Sequence, residues 1–400
     1  MTGAWLSIIG IGEDGLAGLG KKARNAIDGA EVFVGGKRHL SMLGDDPRTQ
    51  MTWESPLSRT VTRIKGLRGK QVCVLATGDP MSYGIGVTLA REIGMEHCQI
   101  IPHPSAFSLA CARLGWPLAD IDTVTLHGRP LELLNLHLRP NARLLILGED
   151  GDTPKQVARM LKAGGYGDSR MIVLEHMGGA AEKRHDGVAK TWRRKVRDLN
   201  TIALHCIADP GAPRLMRLAG LPDALFQHDG QLTKRDVRAV TLAALSPAPG
   251  EILWDVGAGA GSIAIEFLRV EPTSRAIAIE RNSERAANIR ANGDNLGVHN
   301  LQIVEGAAPA ALKGLTKPNV IFIGGGGDAK VLQACWRALP PGGRLVANGV
   351  SMEAETRLFQ FMQRHGGDMI RIAVSHLGAM GDLHAWRAMQ PVTQYRGRKS

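Results

Sequence analysis

Residues Glu251–Leu268 read EILWDVGAGAGSIAIEFL. A short apolar run ends in a turn carrying Gly257, Gly259 and Gly261, and an amphipathic stretch opens at Ser262. That order predicts a buried strand, a tight turn and a helix. Glycine lets backbone N–H groups face a ligand with no Cβ in the way, and the start of the helix adds a positive dipole end. Near the other end of the chain, Trp5–Arg24 (WLSIIGIGEDGLAGLGKKAR) repeats the pattern. Two independently built α/β units are therefore expected.

Length and composition agree. At ~100–200 residues per domain, 400 residues allow two or three. Apolar residues are 44% and charged residues 22%, which excludes a disordered chain. The 49 glycines follow no G-X-Y period, which excludes collagen. No apolar run reaches the ~18–20 residues needed to span a bilayer. The opening MTGAWLSIIG has no basic leader before its apolar run and no small-residue cleavage site. It reads as a first strand rather than a signal peptide, so a cytoplasmic protein is expected. Cys73, Cys98, Cys111, Cys206 and Cys335 form no C-x-x-C pair. An odd, scattered set predicts reduced, buried thiols, with neither a disulfide framework nor a metal. The net charge of +11 favours a polyanionic partner: nucleic acid, or a small molecule with many carboxylates or phosphates.

Pro210, Pro213 and Pro222, with Gly211, Gly220 and Gly230, mark a joint. Domains are expected at 1–207 and 229–400, with a linker at 208–228. The first half divides again at Gly115-Trp116-Pro117, giving lobes of about 1–113 and 114–207. The first lobe carries a buried strand, Val72–Ala76, and a helix expected over Met81–Ile93. The second carries strands at Arg143–Leu147, Met171–Leu174 and Thr201–Cys206, and a helix at Pro154–Ala163. A cleft between two such lobes is a natural ligand site. The basic tail, Tyr395–Ser400, is expected to fray into solvent.

In the second half, the strand Ala276–Ile279 runs into Glu280. An acidic residue about 20 positions beyond the glycines suits a ribose diol. A dinucleotide site (G-x-G-x-x-G) would need glycine where this chain has Ser262. The form here is G-x-G-x-G preceded by Asp255, which suits S-adenosylmethionine better: it has no pyrophosphate, and its amino group can meet an acidic or carbonyl oxygen. Further strands are expected at Leu301–Val304, Val320–Ile323 and Arg344–Asn348, then a helix at about 353–365, then strands at about 370–376 and 384–391. This series resembles a class I S-adenosylmethionine-dependent methyltransferase, a Rossmann-like sheet with helices on both faces. Residues 256–261, 280, 306–308 and 324–327 then fall at the carboxyl ends of its strands, where ligands bind.

The first half carries Gly10-Ile-Gly12-Glu-Asp14-Gly15 and, after the buried strand, Thr77-Gly78-Asp79-Pro80-Met-Ser82-Tyr83-Gly84. Pro80 fixes one φ, Gly78 permits close approach, and Asp79 can cap the following helix. With Pro104–Ser108 (PSAFS), Leu114–Pro117 (LGWP) and Leu126–Arg129 (LHGR), these motifs resemble the two-lobed tetrapyrrole methylases of the vitamin B12 pathway. From Leu232–Arg238 (LTKRDVR) to Glu305–Leu312 (EGAAPAAL), the second half resembles the decarboxylating precorrin methyltransferases. The resemblance implies methylation of precorrin-6B at C-5 by the first unit and at C-15 by the second. The second unit would also remove the carboxyl of the ring C acetate, giving precorrin-8. It implies one S-adenosylmethionine per unit. In the first, the implied contacts are Gly10, Gly12, Thr77, Gly78, Asp79, Pro80, Ser82, Phe107, Ser108 and Leu147, with Asp14 as a catalytic residue. In the second they are Thr233, Gly257, Ala258, Gly259, Ala260, Gly261, Glu280, Ala307 and Ala308. Ala307 stands where the family often has an acid.

A reduced tetrapyrrole is rimmed with carboxylates, so a basic protein matches it. Lys37, Arg38, Arg59 and Arg63 flank the first motifs, and Arg129, Lys234, Arg235 and Arg238 are the favoured substrate contacts. Methyl transfer to an electron-rich ring carbon needs positioning more than a strong base. Decarboxylation needs a proton donor, for which Glu353, His376 and His384 are candidates. A homo-oligomer is expected, with no nucleic-acid or membrane partner. The rival reading is an RNA methyltransferase with a basic N-terminal module. Aromatics at 4%, with no stacking run, weigh against it.

Overall fold

The computed structural model describes residues 3–324 and 327–400. Met1 and Thr2 of the opening run, and Gly325 and Gly326 of the expected glycine stretch, lie outside the described residues. The chain divides into two compact units. The first comprises 1–131 and 139–213, the second 132–138 and 214–400.

The first unit holds two five-stranded sheets. One contains β1 (Leu6–Ile11), β2 (Val32–Gly35), β3 (Thr49–Thr52), β4 (Val72–Thr77) and β5 (Cys98–Ile101), in the order β3-β2-β4-β1-β5. All its pairings are parallel. A parallel sheet is covered on both faces, so its strands are apolar throughout, and alternate residues enter opposite cores. Leu6, Ile8, Val72 and Val74 join one core, and Ile9, Ile11, Cys73 and Leu75 the other. Five helices accompany this sheet: α1 (Lys21–Asp28), α2 (Lys37–Ser41), α3 (Leu57–Lys65), α4 (Ile85–Ile93) and α5 (Ala106–Leu114). The helix α4 starts at Ile85 rather than the expected Met81, and its N-cap is Gly84. Asp79 instead closes a local turn, its Oδ1 accepting from Met81 N at 2.8 Å.

The second sheet contains β6 (Asp122–Thr125), β7 (Arg143–Leu147), β8 (Arg170–Glu175), β9 (Lys183–Val188) and β10 (Asn200–His205), in the order β6-β7-β10-β8-β9, with α6 (Thr153–Ala163) between β7 and β8 in the chain. Phe107, Ala110 and Cys111 of α5 pack against Leu145, Leu174 and Ala203 of this sheet.

The second unit is built on one seven-stranded sheet. Its strands are β11 (Ile252–Val256), β12 (Arg275–Glu280), β13 (Leu301–Glu305), β14 (Val320–Ile323), β15 (Arg344–Gly349), β16 (Asp368–Ile372) and, after a separate hairpin of β17 (Ser375–Met380) and β18 (Leu383–Ala388), β19 (Val392–Arg398). The order is β13-β12-β11-β14-β15-β19-β16, with β19 antiparallel to both neighbours. Its helices are α7 (Arg235–Leu245), α8 (Ser262–Val270), α9 (Ser283–Asn295), α10 (Ala329–Ala338) and α11 (Met352–His365). Leu253, Val320 and Phe322 face a core shared with α7 and α8; Trp254, Val256, Ile321 and Ile323 face one shared with α10 and α11. The strand order reverses beside β11, which opens a crevice at the carboxyl ends of β11 and β14.

Two expectations need correction. The basic tail does not fray: Tyr395 in β19 is fully buried, edge-on to Phe361 at 5.4 Å, and Lys399 Nζ donates to Leu339 O at 2.7 Å. A single cut at 207–228 also leaves Glu132–Leu138 with the first domain, whereas it groups with the second unit. Leu136 enters that unit's core, and Asn135 Nδ2 donates to Asn295 O at 2.7 Å. All five cysteines are buried and unbridged.

Candidate active sites

In the second unit a cleft of about 740 Å³ lies along the strand ends. Thr233, Lys234, Gly257, Ala258, Gly259, Glu280, Ala307 and Ala308 all line it. Glu280 closes β12 and is 4% exposed. Its Oε2 accepts from Gly259 N at 2.8 Å and its Oε1 from Asn282 N at 3.0 Å. Each oxygen keeps a lone pair for a ligand hydroxyl. Gly259 has φ +59°, and a Cβ there would meet Gln231 O at 2.9 Å, so only glycine fits this close approach.

Ala260 and Gly261 do not line the cleft. Ala260 is buried and its carbonyl accepts from Asn292 Nδ2 at 3.0 Å, while a Cβ on Gly261 would press on Ile289. They shape the turn from behind. Asp255, the acid that precedes the glycine turn, is 1% exposed and points under the turn, where its Oδ2 accepts from Ala264 N at 3.1 Å. Burial, with the charge of Glu280 adding, pushes its carboxyl up to about 7.

The expected substrate contacts separate. Lys234 lines the cleft. Arg235 does not: its Nε donates to Gly220 O at 2.8 Å. Arg238 is fully buried. Its Nε pairs with Glu266 at 2.6 Å, its Nη1 reaches Asp223 at 3.0 Å and Thr233 O at 2.5 Å, and its Nη2 donates to Leu221 O. Every donor nitrogen is consumed inside the fold, so Arg238 is a framework residue and not a substrate contact.

The proposed acids fare similarly. His376 lies on β17, 3.7 Å from Asp236 Oδ2, and His384 on β18 of the same hairpin; neither is among the residues that line the cleft. Glu353 is in the first turn of α11, and hydrogen bonds from its own backbone N–H and from Ser351 hold its carboxyl below the usual range. A proton donor needs the opposite shift. Sequence reasoning missed Arg281, Asn348, Arg357 and Gln390, which do line the cleft. Only the placement of Asn348 at a strand end signalled it.

In the first unit, Gly10 lets two loops pack: a Cβ there would meet Gly78 O at 1.8 Å. Gly78 N donates back to Ile11 O at 3.0 Å. At Gly12 a Cβ would meet the His103 ring at 2.8 Å. Thr77 ends β4, Ser82 N donates to Asp79 O at 3.0 Å, and a Cβ on Gly84 or Gly86 would clash with the Pro80 carbonyl. Phe107 is buried, edge-on to Tyr83 at 5.9 Å; Ser108 N donates to Ser105 Oγ; Leu147 closes β7. The Asp14 carboxylate lies 3.5 Å from His103 Nε2. The Arg129 guanidinium stands 5.6 Å from the Tyr83 ring centroid.

A polar cluster here was not anticipated. Arg38 pairs with Glu13, which also takes His176 Nδ1 at 2.7 Å, and Arg38 Nη2 reaches His39 Nε2 at 2.9 Å and Thr77 Oγ1 at 3.1 Å. Burial pushes Glu13 up, but His176 and Arg38 outweigh it and hold the carboxyl below its ordinary value. Burial and then the charge of Arg38 push His39 down to about 4. Among the described residues, no group of three or more His, Cys, Asp or Glu is arranged for a metal ion.

Comparison with known proteins gives these two sites a context. Residues 6–191 match the model of the tetrapyrrole (corrin/porphyrin) methylases, and residues 224–399 that of the precorrin methyltransferase domain. The chain thus carries two methyltransferase domains of different type. Over 398 residues it is 48% identical to a precorrin-6Y C(5,15)-methyltransferase [decarboxylating] of Sinorhizobium sp., covering 99% of this chain and 96% of that protein. The chain belongs to the precorrin-6Y C(5,15)-methyltransferase [decarboxylating] family of cobalamin biosynthesis. Two relatives each span part of it. A cobalt-precorrin-7 C(5)-methyltransferase of Salmonella typhimurium is 33% identical over 45% of this chain and 89% of its own length. A protein named "Probable cobalt-precorrin-6B C(15)-methyltransferase (decarboxylating)", of Saccharolobus solfataricus, is 34% identical over 37% of this chain and 78% of its own. These names lend the RNA reading no support.

Proposed function

We propose that the chain adds two methyl groups to precorrin-6B and removes one carboxyl, giving precorrin-8. The observation that carries this reading is the whole-length identity of 48% to a protein named for both methylations and the decarboxylation. The second unit methylates C-15 and releases the ring C (C-12) acetate carboxyl as CO2. The first methylates C-5. The single-position relatives are named for precorrin-6B at C(15) and precorrin-7 at C(5), so we order the steps C-15 first.

S-adenosylmethionine supplies an electrophilic methyl carbon, one molecule in each unit. In the second unit Glu280 holds the ribose diol, Gly257, Ala258 and Gly259 present backbone, and Ala307, Ala308 and Thr233 complete the wall, where adenine meets backbone groups. In the first, Thr77–Ser82, Phe107, Ser108 and Leu147 form the cofactor wall. Gly10 and Gly12 keep the loops tight enough to build it. Replacing the C-5 hydrogen by methyl requires loss of that proton, and Asp14 is the acceptor we assign. Lys234 and Arg129 meet substrate carboxylates.

The substrate is a small polycarboxylate rather than nucleic acid or a membrane. Among the described residues no helix is long and apolar enough to cross a membrane. We assign the protein's action to the cytoplasm. Leu377 and Trp386, directly opposite each other on the β17–β18 hairpin, are exposed at 56% and 72%, an apolar pair that supports self-association into a homo-oligomer. The two units, 1–131 with 139–213 and 132–138 with 214–400, act as separate catalysts. The test is incubation with precorrin-6B and S-adenosylmethionine, with mass analysis. Two methyls gained and one CO2 lost is expected; an unchanged mass refutes the proposal.

A further inference from the structure

The carboxyl end of β15 carries a side chain whose orientation is fixed from behind. Gln394 is fully buried, and its Nε2 donates to Thr241 Oγ1 at 3.0 Å and to Asn348 Oδ1 at 2.9 Å. Asn348 Nδ2 donates to the same Thr241 oxygen at 3.2 Å, and Thr241 spends its own proton on Val237 O at 2.8 Å. The hydroxyl can therefore only accept from the two amides. Turning both amides over would exchange the buried, partnerless Gln394 oxygen for a partnerless NH2 group and set the Asn348 oxygen against an oxygen with no proton to give. Hydrogen-bond counting thus selects one orientation. In it, Asn348 has one N–H left, and Asn348 lines the cleft.

What that N–H meets follows from the surroundings. Lys234, Arg281 and Arg357 also line the cleft, and Glu280, its one acid among the described residues, is tied to Gly259 N and Asn282 N. Glu280 ends β12 and Asn348 lies on β15, three strands apart in the sheet. At about 4.8 Å per strand, Asn348 stands well over 10 Å from the ribose end. We infer that Asn348 is a specificity-determining residue of the second unit, donating its free N–H to a peripheral carboxylate of the tetrapyrrole, and that Gln394 and Thr241 are the positioning residues that hold it as a donor. This rests on the second unit being the C-15 site.

Asn348→Ala and Asn348→Asp decide the matter in the full-length protein. Asp keeps the shape and the acceptor for Gln394 but puts a carboxylate where a carboxylate must bind. Recognition predicts KM for precorrin-6B up roughly tenfold in Asn348→Ala and roughly a hundredfold in Asn348→Asp, the gap narrowing with salt. S-adenosylhomocysteine binding should be retained in both. A purely architectural Asn348 predicts similar KM values in the two variants, since both lose the bond to Thr241, and a ratio between them that salt does not change. Similar KM values, a larger effect in Asn348→Ala, or loss of S-adenosylhomocysteine binding in both variants would overturn the inference. A wild-type protein that leaves precorrin-6B untouched would instead refute the proposed function.

Discussion

Glu280 Oε2 accepts from Gly259 N at 2.8 Å, so the acid at the end of β12 holds the glycine turn after β11 in place. The acid we assign to the ribose diol thus also shapes the loop we assign to the cofactor. Glu280→Gln puts an NH2 against one of two N–H donors, and should weaken S-adenosylmethionine binding in the second unit roughly 10- to 100-fold, the worth of hydrogen bonds to a charged group. Titration calorimetry reads this directly.

Asp79 shapes the first unit's loop in a similar way, through Met81 N at 2.8 Å. Asp79→Ala should slow C-5 methylation at least tenfold and leave C-15 chemistry intact. The mass spectrum of the product should then stall at one methyl gained and one CO2 lost. A product with two methyls formed at the normal rate would remove Asp79 from the site.

Arg238 and Glu266 form a buried pair at 2.6 Å with side chains fully enclosed. Removing one partner strands the other charge, so Arg238→Ala should cost about 3–5 kcal/mol in urea unfolding of the second unit. KM for the tetrapyrrole, measured where the variant is folded, should not move. A raised KM would restore Arg238 as a substrate contact.

His39 gives the first unit an acid-sensitive element. Its folded pKa is pushed down to about 4 from an ordinary 6.5. Between those values the unfolded chain takes up a proton that the folded chain refuses. Stability present above pH 6.5 is therefore lost as pH falls toward 4, by up to about 1.4 kcal/mol per unit. His39→Asn should flatten that slope in urea titrations between pH 7 and 4.5.

The elements that sequence patterning resolved were those with one strong period or one strong punctuation. Val72–Ala76 and the opening of Glu251–Leu268 are short apolar runs with glycine just beyond them, at Gly78 and Gly257, and both became strands that end at a candidate site. Glu280 was legible because a single local spacing specifies it. Arg238 was misread because adjacency to a motif does not tell which face of α7 a residue occupies, and its partner Glu266 lies on another helix. The Glu13–Arg38–His176 cluster joins residues as far apart as 163 positions, a separation that local spacing cannot encode. Tail burial was invisible for a related reason: β19 pairs with β15 and β16, and only that pairing hides Tyr395.

Two separate pockets for the same methyl donor in one polypeptide are the core of the proposed function. Titration of the full-length protein with S-adenosylhomocysteine measures their number. Two molecules per chain are predicted, one of them bound more weakly in Glu280→Gln and the other in Asp79→Ala. A stoichiometry of one or none would contradict it.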